Sequence, residues 1–399
     1  MRRKILVSLG ILSVTILWLH PTSHVWCQSR PILTIHSESG VLMDGLTGQV
    51  LFEKNPDRRF RPASLAKVMT LYLAFDAIKD GSVTFEDEVL VSKKAWKMGG
   101  SQMFLEVGDK VQFIELIKGA ATISANDGAL AIAEFLAGSE EVFVYQMNEK
   151  AQALGLKHTR FVNPHGLPRE GQETSAIDMA LLGFHYIKDH PDALKFHTPA
   201  TFTYGGIKQK NWNPLLNLDR GVDGLKTGYL KSSGYHILFS AKKDSRRLVG
   251  VVMGARTAEN RNSDALKLLG YGFKNFSNHT VVKEGDIVGK VMVPDGDPSE
   301  LGLSAAKTLI VTVREGLKES IPLRKEIPSS AEPPISQGDV LGRLILEGEG
   351  FPREEVVLIA SQDVRVKSYA AYYLIAVATG AGLLVLAFWR RGVLRKKRS

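Results

Sequence analysis

Twenty-one consecutive residues, Tyr369 to Trp389, carry no charge, and Arg390, Arg391, Arg395, Lys396, Lys397 and Arg398 follow directly. As a helix this run is about 31 Å long, which matches the hydrocarbon core of a bilayer. Tyr369, Tyr372 and Tyr373 at one end and Phe388 and Trp389 at the other suit the two interfaces, and the basic residues mark 390–399 as a cytoplasmic tail. The bland alternative is a buried core helix. A spanning helix at 369–389 sets the topology of everything before it.

The N-terminus carries a second topological signal. Arg2, Arg3 and Lys4 precede an apolar run, Ile5 to Leu19, that is short for a span, and a polar stretch leads to Val25-Trp26-Cys27. This is the pattern of a secretory signal peptide over residues 1–27, with small Val25 and Cys27 where a signal peptidase reads. Cys27 is the single cysteine, so a mature chain from Gln28 would hold neither an intramolecular disulfide nor a thiol nucleophile. The net charge of +9 suggests an anionic partner until its location is considered. The three basic residues at the start and the six in the tail account for all of it, so the middle is neutral and no nucleic-acid surface is expected. With 399 residues, 44% hydrophobic and 23% charged, the chain is ordinary folded protein with room for two cores.

Between these ends, Ile32 to Phe52 reads as a β-hairpin turning around Asp44-Gly45 and Thr47-Gly48. Leu65 to Ile78 has an amphipathic helical pattern, as do Phe113 to Thr122, Gly128 to Leu136 and Glu140 to Leu154. Strand signals return at Phe202 to Tyr204, Tyr235 to Ala241 and Arg247 to Met253, and a helix is expected near Ala265 to Gly272. Strands at both ends with helices between them predict an α/β layer whose first and last strands share one sheet. From Thr280 to Val366 short β-rich runs (Ile287 to Val293, Leu309 to Val313, Val340 to Leu346, Val356 to Ile359) alternate with Gly, Pro and acidic turns, which predicts a small all-β domain.

The reactive chemistry centres on Arg61 to Thr70, R-P-A-S-L-A-K-V-M-T. Ser64 and Lys67 stand one helical turn apart on one face. A serine hydroxyl needs a base beside it, and a lysine serves only where burial or a neighbouring cation lowers its pKa. Alone the motif is weak: Ser240 with Lys243 and Ser304 with Lys307 match it too, and Ser64 after Pro62 could simply cap a helix. Two further pieces occur once each. Ser124 and Asn126 stand two apart in A-T-I-S-A-N-D-G, just ahead of a helix, and Lys226-Thr227-Gly228-Tyr229 leads into a strand, with Gly228 able to admit another chain close to its backbone.

Together the three pieces, in this order and spacing, match the constellation of penicillin-binding proteins and serine β-lactamases. P-A-S-L-A-K-V-M-T, M-F-L-E-V-G-D-K, S-A-N-D, A-L-G-L-K-H-T-R-F-V-N-P-H-G-L and V-D-G-L-K-T-G-Y resemble D-alanyl-D-alanine carboxypeptidases, the low-molecular-mass penicillin-binding proteins, from about Ile32 to the end. The resemblance implies a β-lactamase/transpeptidase-like α/β catalytic domain at 28–276, an antiparallel sheet with flanking helices and a helical subdomain. It also implies an all-β domain at 277–367 and a transmembrane helix at 369–389. It implies an exported enzyme held in the bacterial cytoplasmic membrane with its catalytic domain outside, no cofactor or metal, peptidoglycan stem peptides as substrates, and β-lactams as covalent inhibitors. By the same resemblance Ser64 attacks the bond between two D-alanines, Lys67 takes its proton, Ser124 passes a proton to the leaving amine and Asn126 holds a substrate amide. Backbone N–H groups of Ser64 and Tyr229 form the oxyanion hole, and Lys226 and Thr227 bind the terminal carboxylate.

Three features depart from many relatives: Ala66 and Leu230 replace hydroxyl residues, Trp212 stands where some have an arginine near the substrate carboxylate, and the anchor is a full span. Arg256 or Arg261 could replace that arginine. A β-lactamase would need a deacylating base such as the Glu of E-x-x-L-N, and a metal hydrolase a spacing such as H-E-x-x-H; neither segment occurs. A catalytically idle peptidoglycan-binding scaffold and a D,D-endopeptidase are the remaining alternatives.

Overall fold

The computed structural model describes residues 33–218, 220–316, 321–348 and 351–396. The signal peptide expected at 1–27, and the last residues of the basic tail, lie outside these ranges.

The chain enters through the hairpin β1 (Ser39–Asp44) and β2 (Val50–Lys54), then a 3-10 turn, Ala63–Ala66, runs straight into α1 (Lys67–Lys79). A helical layer follows: α2 (Lys93–Trp96), α3 (Phe113–Thr122), α4 (Asn126–Ala137), α5 (Glu140–Ala153) and α6 (Ala176–Asp189). Two small antiparallel pairs border it, β3 (Glu88–Leu90) with β4 (Lys110–Gln112) and β5 (Thr201–Tyr204) with β6 (Ile207–Lys210). The chain then returns to the sheet as β7 (Val222–Leu230), β8 (Gly234–Lys243) and β9 (Arg246–Ala255), and closes this half with α7 (Ala258–Asn275).

The five strands are antiparallel in the order β2-β1-β9-β8-β7, so the first and last segments share one sheet as the sequence suggests. Their register runs from Ser39 opposite Met253 to Asp44 opposite Leu248. Both faces of the sheet are covered. Val249 of β9 faces Gly183 of α6, whereas its neighbour Leu248 faces Gly272 of α7, as the two-residue alternation of a strand requires. This is why β8 and β9 read as nearly continuous apolar runs.

Several boundaries differ from expectation for local reasons. α1 is not amphipathic in practice: Val68, Met69, Leu71, Tyr72, Ala74 and Phe75 are all buried, because the helix runs through the core between α3, α4 and α6. α6 lies where the periodicity gave no helix, with Ser175 as its N-cap, accepting from the Asp178 N–H at 3.3 Å. α7 starts seven residues earlier than its apolar pattern, capped by Thr257, since its first two turns are polar. Phe202 to Tyr204 pairs with β6 as a separate hairpin and does not join the main sheet.

A second core is built from strands alone. It includes β10 (Phe276–Val282), β11 (Ile287–Met292), β12 (Gly296–Asp297), β13 (Glu300–Ala305), β14 (Leu309–Arg314), β15 (Leu323–Glu326), β16 (Val340–Gly348), β17 (Phe351–Ala360) and β18 (Arg365–Val366). A five-stranded sheet, β11-β13-β17-β16-β15, and the β10–β14 pair enclose Val293, Leu301, Leu303, Val356 and Leu358. β10 follows α7 without a break, and Thr47 Oγ1 meets Thr312 Oγ1 at 2.7 Å across the junction. Last comes α8 (Ala370–Lys396), whose window Tyr373–Arg390 has a mean hydropathy of 1.7 and is long and apolar enough to cross a membrane.

Candidate active site

Ser64 sits in the middle of the 3-10 turn at the head of α1. Ala63 before it has φ +50°, a left-handed conformation that a non-glycine residue holds only when its surroundings enforce it. Two glycines supply the enforcement. A Cβ on Gly166 would lie 1.9 Å from the Ala63 carbonyl oxygen, and one on Gly228 would lie 3.0 Å from Ala63 Cβ and 3.2 Å from the Ser64 nitrogen. β7 and the 163–167 loop therefore press on the serine turn from two sides.

Lys67 is fully buried, and its Nζ has three neighbours: Asn126 Oδ1 at 2.6 Å, the His165 carbonyl at 2.6 Å and Ser64 Oγ at 3.3 Å. The first two are acceptors only. A neutral amine gives its two N–H groups to them and keeps its lone pair for the serine hydroxyl. Burial drives the Lys67 pKa well below the usual lysine range, and the charge of Lys226 drives it further, while Asp127 opposes both. The site thus disfavours the charged form of this amine.

Each partner of Lys67 is itself held. Asn126 donates its Nδ2 to the Gly99 carbonyl at 2.7 Å, which leaves Oδ1 turned toward the lysine. Asp127, buried beside it, accepts from the Met103 and Leu105 N–H groups at 3.0 and 3.2 Å and so ties the 99–105 loop to α4. The His165 carbonyl is placed by the segment Asn163 to Leu167: Asn163 Oδ1 accepts from the Gly166 N–H at 2.7 Å, and Thr70 Oγ1, one turn along α1, donates to the Pro164 carbonyl at 2.6 Å. His165 itself is neutral, because burial, above all, brings its pKa down to about 3.

Ser124 ends the turn between α3 and α4 with φ +65°, and its buried Oγ has no hydrogen-bond partner among the described residues. Trp212 stands beside it: its indole donates to the Ile123 carbonyl at 3.0 Å and remains 59% exposed at the rim.

On the other wall lies β7, the outermost strand of the sheet. Lys226 is buried and its Nζ donates to the Thr227 carbonyl at 3.0 Å; burial first, and then Arg261, lower its pKa to about 7. Arg261 is itself buried on α7, with its guanidinium on Asn262 Oδ1 and over the Tyr235 ring. Of the two arginines singled out in the sequence, Arg261 is the one electrostatically coupled to Lys226. Thr227 is 7% exposed, and Tyr229 turns outward, its ring centroid 4.3 Å from that of Tyr235. Beneath the strand, His197 Nδ1–H donates to the Leu225 carbonyl at 3.1 Å, and its Nε2 accepts from the Tyr186 hydroxyl at 3.1 Å.

The structure thus joins Ser64, Lys67 and Asn126 directly, sets Ser124 in the same turn as Asn126, and brings Gly228 of β7 against the serine turn, with Lys226 and Thr227 just before it on the strand. The motif letters give no role to the His165 carbonyl, Asp127 or His197. A backbone acceptor leaves no residue signature, although N-P-H-G does mark the turn that presents it.

Known proteins resemble this chain in sequence and fold. The family model described as D-alanyl-D-alanine carboxypeptidase matches residues 25–257, and the one described as penicillin-binding protein 5, C-terminal domain, matches 276–366. The D-alanyl-D-alanine carboxypeptidase DacF of Bacillus subtilis is 36% identical over 351 residues, covering 85% of this chain and 89% of its own. Penicillin-binding protein 5 from Haemophilus influenzae superposes with a TM-score of 0.76 at 35% identity over 84% of this chain and 98% of its own. Penicillin-binding protein D2 from Listeria monocytogenes, solved in an ampicillin-bound form, superposes with a TM-score of 0.56 at 29% identity over 61% of this chain and 100% of its own. With a matched catalytic core, a matched β domain and the serine–lysine pair in the geometry described, the chain belongs to the D-alanyl-D-alanine carboxypeptidase family.

Proposed function

We propose that this chain is a serine D-alanyl-D-alanine carboxypeptidase that trims peptidoglycan stem peptides through an acyl-enzyme on Ser64. The observation that carries the reading is the placement of Lys67 Nζ, buried and 3.3 Å from Ser64 Oγ, with Asn126 Oδ1 and the His165 carbonyl each at 2.6 Å. Lys67 takes the hydroxyl proton as Oγ attacks the carbonyl of the penultimate D-alanine. The developing oxyanion is met by the N–H groups of Ser64 and Tyr229. The C–N bond breaks as the proton returns to the leaving amine by way of Ser124, and the terminal D-alanine departs. Water then cleaves the ester and restores the serine. Asn126 orients the acyl chain as well as Lys67, and Lys226 and Thr227 take the free carboxylate. A carboxylate entering a dry pocket must meet a cation and directed hydrogen bonds to offset several kcal/mol of lost hydration.

The same reading makes β-lactams acylating inhibitors. It assigns residues 28–276 to the catalytic domain, 277–367 to a β domain between it and the membrane, and 369–389 to an anchor that leaves the enzyme outside and the tail in the cytoplasm.

The test is covalent labelling of the full-length protein by a fluorescent penicillin, with the adduct mapped by mass spectrometry, together with release of D-alanine from a peptide ending in D-Ala-D-Ala. Labelling of Ser64 and release from the acid but not from its C-terminal amide are expected. An adduct on another residue would sink the assignment, and equal cleavage of the amide would turn it toward an endopeptidase.

A further inference from the structure

Past Tyr229 the cleft opens into a groove of about 940 Å³ whose walls include Phe60, Arg61, Tyr229, Lys231, Tyr235 and Arg256. Five cations and two carboxylates line it. Arg58 pairs with Glu38 at 2.6 Å and Arg59 pairs with Glu173, both in the groove wall. Arg61, Lys231 and Arg256 have no carboxylate partner among the described residues, and all three are exposed. The groove is therefore a concave, net positive surface that begins at the residue after Gly228 and, on its other side, three residues before Ser64.

Its place relative to β7 says what can reach it. β7 is the last strand of the sheet and runs from Val222 to Leu230, with Lys226 and Thr227 upstream of Tyr229. An extended peptide that adds to this edge antiparallel, with its terminal carboxylate at Lys226 and Thr227, sends its preceding residues past Tyr229 toward Lys231. At about 3.3 Å per residue, the residues two to four places before the scissile bond come alongside Arg61, Lys231 and Arg256.

We propose that this groove recognises carboxylates on the acyl side of the substrate, so that the enzyme selects acidic stem peptides over neutral ones. The proposal rests on the carboxypeptidase reading for the direction of the peptide. A long polyanion fits less well, because Glu38 and Glu173 interrupt the positive wall, whereas a peptide can place two carboxylates and leave those positions empty.

The experiment uses two N-acetylated peptides ending in D-Ala-D-Ala, one with two free carboxylates upstream and one with both as carboxamides. Enzymes are the full-length wild type, Lys231→Gln/Arg256→Gln, and the charge-keeping Lys231→Arg/Arg256→Lys. Wild type should show kcat/KM about tenfold higher for the acidic peptide, and the preference should shrink with added salt. The Gln variant should treat both peptides alike while being acylated by penicillin at the wild-type rate, and the charge-keeping variant should retain the preference. No preference in wild type, or an equal loss on both peptides in the Gln variant, overturns the proposal. Binding of both peptides to Ser64→Ala reads the groove without cleavage. Equal binding there, with wild type still labelled by penicillin, refutes the groove alone; absent labelling with acid-selective binding refutes the carboxypeptidase reading alone. A groove that binds poly(glycerol phosphate) but shows no acid preference belongs to a polymer, and the proposal falls.

Discussion

Lys67 and Asn126, 59 residues apart in sequence, meet at 2.6 Å from Nζ to Oδ1. The amide oxygen takes one N–H of the amine without adding charge. A carboxylate in its place would stabilise the ammonium, so Asn126→Asp should raise the Lys67 pKa and remove the base at neutral pH. The rising limb of penicillin acylation against pH should move to higher pH, with the rate recovering in alkaline buffer. A rate lowered equally at every pH would mean that the substitution only disturbs the turn.

Arg261 and Lys226 make a second pH prediction, on the falling limb of the profile. Burial and Arg261 hold Lys226 at about 7, so it loses its charge just above neutrality and kcat/KM for a free-carboxylate peptide should fall there. Arg261→Gln removes part of the repulsion, which raises the Lys226 pKa and moves that falling limb up in pH, whatever happens to its height. The linkage has a matching sign in stability. Lys226 titrates near 10.4 when unfolded and at about 7 when folded. Between these values the unfolded chain binds more protons, so stability rises with pH across that window. Lys226→Met should therefore stabilise the protein more at pH 7 than at pH 10, as read by urea midpoints.

What the sequence reveals of this site is what side chains declare locally. Ser64 and Lys67 are legible because a three-residue spacing on a helix defines a face, and the sheet is legible because β8 and β9 carry dense apolar runs. The His165 carbonyl and the Asp127 clamp are not, since the first is backbone and the second bonds N–H groups of a loop 22 and 24 residues away. Arg261 could be named only as one of two candidates, because its coupling to Lys226 depends on α7 packing against the sheet. α6 stayed hidden for a different reason: buried on the sheet over most of its surface, it has no long polar face to set its period.

The other two serine–lysine matches test whether spacing alone suffices. Ser240 and Lys243 both lie in β8, where residues three apart point to opposite faces, and Ser240 Oγ is buried and accepts from Arg247. Ser304 is in β13, and Lys307, beyond the strand end, pairs with Glu354 at 3.5 Å. Ser240→Ala and Ser304→Ala should keep penicillin labelling and D-alanine release, at a stability cost of about 1 kcal/mol for a lost buried hydrogen bond. Ser64→Ala should lose both activities while keeping its urea midpoint.

Gly166 and Gly228 touch the same residue, Ala63, yet their substitution should fail in different ways. At Gly166 the backbone is left-handed, with φ +85°, and an added methyl would sit 1.9 Å from the Ala63 carbonyl oxygen. The methyl cannot be placed without moving backbone, so Gly166→Ala should combine strain of about 1–3 kcal/mol with displacement of the His165 carbonyl that holds Lys67. Both the urea midpoint and penicillin labelling should drop. At Gly228 the backbone is not left-handed, and the nearest atoms are 3.0 to 3.2 Å away: Ala63 Cβ, the Pro62 oxygen and the Ser64 nitrogen. A shift of a few tenths of an ångström relieves that crowding, so stability should fall little. The shift, however, is taken by the turn that aims Ser64, so Gly228→Ala should slow acylation while leaving the urea midpoint within about 1 kcal/mol of wild type. A Gly228→Ala protein as reactive as wild type would show that the contact with the serine turn sets packing only, and that β7 has room to withdraw without disturbing Ser64.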